Sequence, residues 1–446
     1  MTTRATRGLP AIPRGSRLGD RLRQLRVAAG LTQSDIARDR FSKEYISQIE
    51  RGKTRPTPET IEWLALQLGV DSTFLASGVS SDERARAEAV LARAEALIER
   101  REYERAVDEY AHALGPVVAT GDVGLQVRLL SGEAWARTRT GEVRTAIGLL
   151  DQARALGEGP EFSDLDRAEI LFRLGVARYL ISSIATALAL FGEALSLAER
   201  SELPSDKVRA DIFTWRSRCY RRQRDYEAAR DDVERALELS EGMEDAQSLG
   251  DAYFEASLVA ERDGHWVLAR NYAERARSLF EEVAYKAGVG KMLNNLGGLA
   301  FLLGKPEEAI VRLQEAIAIG LEHGDDNDVA TAVSSLAQVY LKTGDPVTAE
   351  EHARHALRRL EGREDRTDEI GNARLVLGRA LLDQERLDEA EGMLAEAEDA
   401  FDQLSSGSHR AAAWVAQGDL AQRRGDDRQA AVLYRRAAEA LQDFRF

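Results

Sequence analysis

Two predicted helices and the turn between them occupy residues 296–316, whose sequence is LGGLAFLLGKPEEAIVRLQEA. The first helix carries a small residue, Gly297, and stops at the turn Gly304-Lys305-Pro306. The second helix carries Ala309, the bulky Leu313 four positions later and another alanine three positions after that. Gly and Pro are typical of a break between helices, and small residues on facing sides let two helices approach closely. The stretch therefore predicts a tight helical hairpin.

This hairpin pattern recurs nine times, at intervals of 40 to 42 residues. The second helix of each unit contains Ala-x-x-x-(Phe, Tyr, Leu, Val or Ala)-x-x-Ala, which begins at Ala106, Ala146, Ala187, Ala229, Ala269, Ala309, Ala349, Ala390 and Ala430. A small residue stands twelve positions earlier, at Ala94, Ala134, Gly175, Ser217, Ser257, Gly297, Ala337, Gly378 and Gly418. Neither helix of a unit can bury its apolar stripe alone, so neighbouring units must stack. The periodicity predicts an all-α repeat protein.

The unit resembles the tetratricopeptide repeat, which has a small residue at its eighth position, Ala at its twentieth, a bulky residue four later and Ala three after that. The resemblance extends over about residues 83–443. It implies a right-handed α-solenoid of about nine helical hairpins over 83–446, with the first helix of each hairpin on the concave face where partners bind. The period near 40 exceeds the usual length of about 34 residues, which predicts longer helices or linkers.

Counting from the small residue of each unit places a set of side chains on the concave face. Arg there can bind a carboxylate, amides can bond a peptide backbone, and aromatic rings can support an extended chain. The groove-facing positions are Phe172, Tyr179, Thr214, Arg218, Arg221, Phe254, Glu261, Asn294, Phe301, Ser334, Gln338 and Arg379. The candidate peptide or partner contacts among them are Phe172, Tyr179, Arg218, Arg221, Phe254, Asn294, Phe301, Gln338 and Arg379. The alternative for the aromatic residues is packing between repeats.

A second kind of pattern precedes the repeats. Residues 1–16 contain scattered Gly and Pro and predict a flexible arm, whereas Leu18, Leu22, Leu25 and Val27 form one apolar helical stripe. Caps and glycines then divide the segment into five short helices, which begin at Leu18, Gln33, Lys43, Pro58 and about Ser72. The sequence thus predicts a compact five-helix domain over 17–76, joined by a linker at 77–82 to the repeats.

This head resembles the Cro/phage-repressor (XRE-type) helix-turn-helix family. The resemblance rests on LTQSDIA at 31–37, FSKEYISQIERGK at 41–53 and the following Pro56. One departure is the turn at 39–41, which lacks the usual glycine and is about one residue shorter. The family places its third helix in the major groove of DNA and the N-terminus of its second helix against phosphate.

The resemblance carries DNA contacts onto particular positions. The base readers would be Lys43, Glu44 and Gln48, whose side chains suit guanine, cytosine and adenine respectively. Phosphate contacts would come from Gln33, Tyr45, Arg51, Lys53 and Arg55, and Ser42, the predicted cap of the third helix, belongs to the same DNA-binding set. The alternative is that these are ordinary solvated residues of a helix face.

The net charge of −15 over 446 residues hides an asymmetry. Residues 1–79 carry 13 Lys and Arg against 8 Asp and Glu, whereas residues 80–446 carry 48 against 68. A basic head on an acidic body indicates that only the head approaches a polyanion such as DNA.

No catalytic, cofactor or metal pattern emerges from the sequence. Cys219 is the single cysteine, which excludes an intrachain disulfide and the usual cysteine-based zinc sites. A buried apolar role is the favoured interpretation of Cys219, and a solvated pair that of His352 and His355. The longest nearly apolar stretch, 296–304, is too short to span a bilayer. We therefore expect a cytoplasmic protein that is not an enzyme and needs no cofactor.

The combination of head and repeats is similar to the peptide-sensing bacterial regulators of the Rap/Rgg/PlcR/NprR type. That resemblance implies a sequence-specific transcriptional regulator, nucleoid-associated when bound, that acts as a homodimer on a double-stranded DNA operator and holds a peptide or protein ligand in its groove. The last repeat, 407–446, is a candidate dimer contact, with simple fraying as the alternative. Two rival functions remain open at this stage. One is a tetratricopeptide interaction scaffold with secondary DNA binding, and the other is a repressor that responds to a small molecule.

Overall fold

The computed structural model describes residues 18–78, 81–243, 245–363, 366–404 and 407–442. Helices and their connections account for these residues, which confirms the all-α prediction. The predicted arm at 1–16 lies outside the described residues. The chain divides into two compact units, one up to Phe162 and one from Ser163 onward.

The first unit contains the five short helices and two hairpins in its described part. The five short helices are α1 (Leu18–Ala28), α2 (Gln33–Ala37), α3 (Lys43–Glu50), α4 (Pro58–Leu68) and α5 (Ser72–Ser77). The hairpin helices are α6 (Ser81–Glu99), α7 (Tyr103–Thr120), α8 (Val123–Thr140) and α9 (Val143–Leu156). The connection from α5 to α6 is shorter than the predicted linker at 77–82, because Ser77 still belongs to α5 and α6 already begins at Ser81.

The second unit contains seven further hairpins in its described part. Their helices are α10 (Asp164–Leu180), α11 (Ile184–Arg200), α12 (Asp206–Gln223), α13 (Tyr226–Glu241), α14 (Ala246–Arg262), α15 (Trp266–Glu282), α16 (Lys286–Leu302), α17 (Pro306–His323), α18 (Asp326–Lys342), α19 (Pro346–Arg359), α20 (Thr367–Asp383), α21 (Leu387–Gln403), α22 (Gly407–Arg423) and α23 (Asp427–Gln442). Most of these helices have 16 to 18 residues, which accounts for the long repeat period.

Close packing within each hairpin explains the repeating small residues. A Cβ atom built on Gly175 would lie 2.6 Å from the ring of Phe191, and one on Gly418 would lie 2.5 Å from the ring of Tyr434. In each case the bulky side chain is the one four positions after the repeat alanine. The large residue therefore occupies the space that the small residue leaves on the facing helix.

Local capping signals set the helix starts of the head. Thr32 caps α2 through a capping box with Asp35, and Ser42 caps α3 by accepting a hydrogen bond from the Tyr45 backbone N–H. Thr57 caps α4, whose first residue is Pro58. These starts agree with those predicted from the sequence.

The core of the head holds α1, α3 and α5 together. Leu22, Ile46 and Leu75 are fully buried at its centre. The buried Arg21 crosses to the end of α5, where its guanidinium donates hydrogen bonds to the carbonyls of Leu75 (3.1 Å) and Ala76. The predicted apolar stripe of α1 is wrong at Val27, which is 61% exposed because it lies about 200° around the helix from the buried Leu25.

Candidate functional site

The third helix of the head presents a polar face to solvent. Lys43, Glu44, Gln48 and Arg51 are exposed on it, while Ile46 and Ile49 are buried on the opposite side. Positions three and four apart share one face of a helix, so the exposed side chains project from α3 in one general direction. The arrangement suits a helix that enters the major groove.

Ser42 and Tyr45, both in the predicted DNA-binding set, help to hold α3 in place. Ser42 caps α3 through its hydroxyl, at 3.1 Å from the backbone nitrogen of Tyr45. The half-buried Tyr45 ring packs against Phe41, with 5.3 Å between the ring centroids, and Phe41 contacts Trp63 edge to face. These rings fix α3 against α4 where the turn at 39–41 is short.

A hydrogen-bonded network joins α1, α2 and α3 beneath the polar face. Arg26 binds the buried Glu50 through two nitrogens, at 2.6 and 3.1 Å, and also donates to the Leu31 carbonyl. Gln33 donates a hydrogen bond to the same carboxylate at 2.8 Å. The hydrogen bond to Glu50 raises the pKa of Arg26. The network holds the start of α2 in register with α3, and it uses one of the two Gln33 amide hydrogens.

Exposed positive charge is concentrated next to α3. The exposed cations of this segment are Arg38, Arg40, Lys43, Arg51, Lys53 and Arg55. Asp39 and Glu44 are the exposed acids of the same stretch, because Glu50 is buried and paired with Arg26. The excess of positive charge favours contact with phosphate.

The second unit contains a cavity of about 810 Å³ between helices α14, α16, α17, α18 and α20. Its volume lies within the usual range of ligand sites, about 300–1,000 Å³. Six side chains that the sequence placed on the concave face line this cavity: Phe254, Glu261, Asn294, Phe301, Gln338 and Arg379. Side chains from four separate repeats thus meet at one site.

The sequence did not predict several of the residues that line the cavity. They include Lys291, Asp328, Thr331, Lys342, Glu369 and Asn372. Most lie six or nine positions before the small residue of their repeat, which is about 1.7 or 2.5 turns earlier on the first helix. The prediction used only three offsets nearer the small residue, so extending the count along the 17-residue helices would have found them.

Other predicted groove residues do not line the cavity. Thr214 and Ser334 are buried, and the Thr214 hydroxyl donates to the carbonyl one turn earlier. Phe172 packs on Phe191, at 6.1 Å between centroids, inside its own hairpin. Tyr179 is 9% exposed, with its ring edge to face against Trp215 in the next hairpin. Tyr179 thus packs between repeats, whereas Phe172 packs within its own hairpin.

Arg218 and Arg221 also have intramolecular partners. Both bind the fully buried carboxylate of Glu255 on α14, at 3.0 and 2.7 Å. Burial opposes the charge of Arg221, but Glu255 outweighs that effect and raises its pKa. The Arg218 guanidinium lies 4.2 Å from the centre of the Trp215 ring. These two arginines fasten α12 to α14 and do not line the cavity.

The cavity wall offers both hydrogen-bond donors and hydrogen-bond acceptors. Asn294 Oδ1 is buried and accepts no hydrogen bond from the described residues. Glu261 is fixed by the Asn295 amide at 3.2 Å, and burial lowers the pKa of Arg379. Burial and the neighbouring Asp368 raise the pKa of Glu369 to about 8. An amphipathic ligand with donors and charged ends fits such a surface.

The two histidines His352 and His355 do not line this cavity. His352 is stacked on Tyr340 at 5.5 Å, and His355 accepts a hydrogen bond from Arg359 at 2.9 Å. Both are half-buried. Among the described residues, no group of three or more His, Cys, Asp or Glu could hold a metal ion.

Cys219 is fully buried on α12, and burial raises the pKa of its thiol to about 12. The interpretation of this residue as a small apolar core residue is confirmed. In the part of the chain that the structure describes, no helix combines the length and the apolar character needed to cross a membrane.

The sequence matches known families in both parts. A helix-turn-helix domain family matches residues 17–75, and tetratricopeptide repeat families match 210–242, 288–362 and 335–405. An uncharacterised HTH-type transcriptional regulator of Sinorhizobium fredii is 42% identical over 59 residues, which cover 13% of this chain and 77% of that protein. Head and repeats are thus confirmed as predicted.

Solved structures share the fold of the repeats at low sequence identity. A Rap protein complexed with competence and sporulation factor has a TM-score of 0.56 and 17% identity, and the match covers 81% of this chain and 98% of that chain. The apo form of the quorum sensor NprR from B. thuringiensis has a TM-score of 0.54 and 12% identity, with coverage of 80% and 99%. The likeness is one of fold.

Proposed function

The chain belongs, through its N-terminal domain, to the HTH-type transcriptional regulators, and from this premise we propose that it is a bacterial, cytoplasmic regulator that binds a specific operator and is controlled by a ligand in its repeats. The observation that carries the DNA-binding half is the exposed polar face of α3, surrounded by cations. The observation that carries the sensing half is the 810 Å³ cavity.

We assign base contacts to Lys43, Glu44 and Gln48 and phosphate contacts to Arg51, Lys53 and Arg55. The first three are exposed on α3, and the others lie at its end and in the segment before α4. Gln33 contributes its remaining amide hydrogen, and Tyr45 acts mainly by positioning α3. Action as a homodimer on a two-fold operator requires the two heads to lie about 34–36 Å apart, so that they reach consecutive major grooves.

Substitutions on α3 should separate sequence reading from backbone contact. We expect Lys43→Ala and Gln48→Ala to lose about 1–3 kcal/mol of discrimination at one base pair each. We expect Arg51→Ala to weaken binding to all sequences and to reduce the salt slope by about one. The measurement is titration of the intact protein, at several salt concentrations, against an operator selected from random duplexes and its point variants.

Arg86→Ala provides the matched control, since Arg86 is exposed on α6, outside the head. It should leave both affinity and specificity unchanged. Equal behaviour of the Lys43, Gln48 and Arg51 variants would contradict the assignment.

We propose a short peptide as the ligand of the cavity. The wall combines aromatic rings, amides and charges of both signs, which together suit a backbone and two charged ends. One structure with this fold is described as a complex with competence and sporulation factor and the other as a quorum sensor, which supports a signal-binding role. The volume of about 810 Å³ suits a small ligand better than a protein domain, so a scaffold function is the less supported alternative.

Substitutions in the cavity wall should reduce the amount of bound ligand. We expect a peptide to copurify with the intact chain, and Asn294→Leu and Phe301→Ala to reduce its occupancy at least about tenfold, since each removes a hydrogen-bonding or stacking group. Native mass spectrometry of the purified protein measures this. Glu307→Ala, an exposed change on α17, is the control. Recovery of a stoichiometric protein in place of a peptide would support the scaffold function.

A further inference from the structure

One ion pair joins parts of the second unit that are far apart in sequence. Arg222, in the last turn of α12, lies 3.3 Å from the carboxylate of Asp368, in the first turn of α20, across 146 residues of chain. Three hairpins, α14/α15, α16/α17 and α18/α19, lie between these helices in the stack. The other extensive contacts of α12 and α20 are with neighbouring hairpins. The pair therefore connects α12 directly to α20, although three hairpins separate these helices in the stack.

The hairpins that the ion pair spans are those that form the cavity. Helices α14, α16 and α18 line it, α20 contributes Asp368 itself and Glu369, and Arg366 lines it from the position before α20. Asp368 thus faces two ways, towards the cavity and towards Arg222. A ligand that contacts this carboxylate competes directly with the arginine.

Arg222 is held in position on its own side. Its guanidinium lies 4.5 Å from the centre of the Tyr179 ring and donates a hydrogen bond to the Ser182 hydroxyl at 3.3 Å. The Tyr179 ring is itself fixed against Trp215 at 5.6 Å. The Arg222 guanidinium is therefore oriented by contacts that do not involve Asp368.

Asp368 has its own supporting contacts. Burial opposes the charge of Asp368, but Glu369 and the cations Arg222 and Arg366 outweigh that effect and lower its pKa, so Asp368 carries the negative charge of the pair. Arg366 donates to Glu369 at 3.2 Å, and burial lowers the pKa of the nearby His409, which is neutral at pH 7. Asp368 is thus the anion presented to Arg222.

We propose that Arg222 and Asp368 form a releasable clasp, an ion pair that closes the groove around the cavity and controls ligand entry. The role of the cavity in sensing rests on the proposed function, but the existence of the clasp does not. Both side chains are about a third exposed, at 32% and 31%. Ion pairs of that exposure stabilise weakly, so this contact opens while the packed hairpin interfaces stay intact. Opening of the ion pair widens access to the cavity, and its closure encloses a ligand that has entered.

The test uses a thiol placed in the cavity wall and needs no natural ligand. Thr331→Cys introduces the thiol on α18, and Cys219 does not interfere because it is buried and its thiol pKa is raised to about 12. The rate of modification by Ellman's reagent is measured at pH 7.5 in the full-length protein. We expect Arg222→Glu and Asp368→Arg each to raise this rate about five- to tenfold, since each replaces attraction by repulsion. The double variant Arg222→Glu/Asp368→Arg should restore the parent rate.

A matched control separates the clasp from general loosening. Arg230→Glu reverses the same charge in an exposed pair with Asp263, 2.8 Å away, that joins adjacent hairpins outside the cavity. This variant should leave the modification rate unchanged. Unaltered rates in both single clasp variants would overturn the proposal, and so would a double variant that fails to return to the parent rate. Because no peptide or DNA takes part, failure of the proposed function would leave these rates as expected.

Discussion

Gly19→Ala is expected to abolish operator binding and to destabilise the head by about 1–3 kcal/mol or more, as overpacking of a close contact does. A Cβ atom at this position would lie 2.4 Å from the carbonyl oxygen of Ile49 and 2.7 Å from that of Glu50. These are backbone atoms at the end of α3, so they cannot rotate aside as a side chain does. The helix α1 must therefore move away from α3, which breaks the Arg26–Glu50 pair and tilts the recognition face.

The measurement combines operator binding with hydrogen exchange of α1 and α3 in the full-length protein. Gly148→Ala is the matched control, because a Cβ atom there meets no other atom within 4 Å. In the middle of α9 that change should stabilise its hairpin by about 0.5–1 kcal/mol and leave DNA binding as it was. A Gly19→Ala variant that binds the operator normally would show that α1 and α3 tolerate separation.

The elements of the head could be predicted because their signals are local. Thr32, Ser42 and Thr57 each stand one residue before a helix and bond its first turn, so the sequence itself marks where α2, α3 and α4 begin. Val27 shows the limit of this reasoning. It follows Leu25 by two positions, about 200° around the helix, so the predicted stripe includes an apolar residue that does not share its face.

The cavity was predictable in part for a similar reason. Helical periodicity places Asn294 and Phe301 on the concave side, and both do line the cavity. Periodicity cannot tell whether a charged residue there meets solvent or a carboxylate on the next hairpin. Glu255 lies on another repeat from Arg218 and Arg221, and its burial is a product of stacking. The two arginines therefore looked like ligand contacts although the fold gives them a partner of its own.

Glu255→Ala is expected to lower the free energy of unfolding of the second unit by about 3–5 kcal/mol, because it leaves two largely buried guanidinium groups without their counterion. The side chains of Arg218 and Arg221 are 21% and 17% exposed, and Glu255 is completely buried. Denaturant unfolding of the intact chain measures the loss. Glu238→Ala, an exposed change on the neighbouring helix α13, should have almost no effect. A loss below about 1 kcal/mol would mean that the arginines find other partners or water.

A triple variant, Arg218→Met/Glu255→Leu/Arg221→Leu, distinguishes a purely structural role of these residues from a role in ligand binding. Replacing a whole buried charge cluster by apolar side chains of similar size is often neutral, so we expect most of the stability lost in Glu255→Ala to return. If the arginines serve only to fasten α12 to α14, this variant should also retain the copurifying ligand. Stability without ligand would instead show that Arg218 or Arg221 leaves Glu255 to bind the ligand, and the sequence prediction for these two residues would then be correct in the bound state.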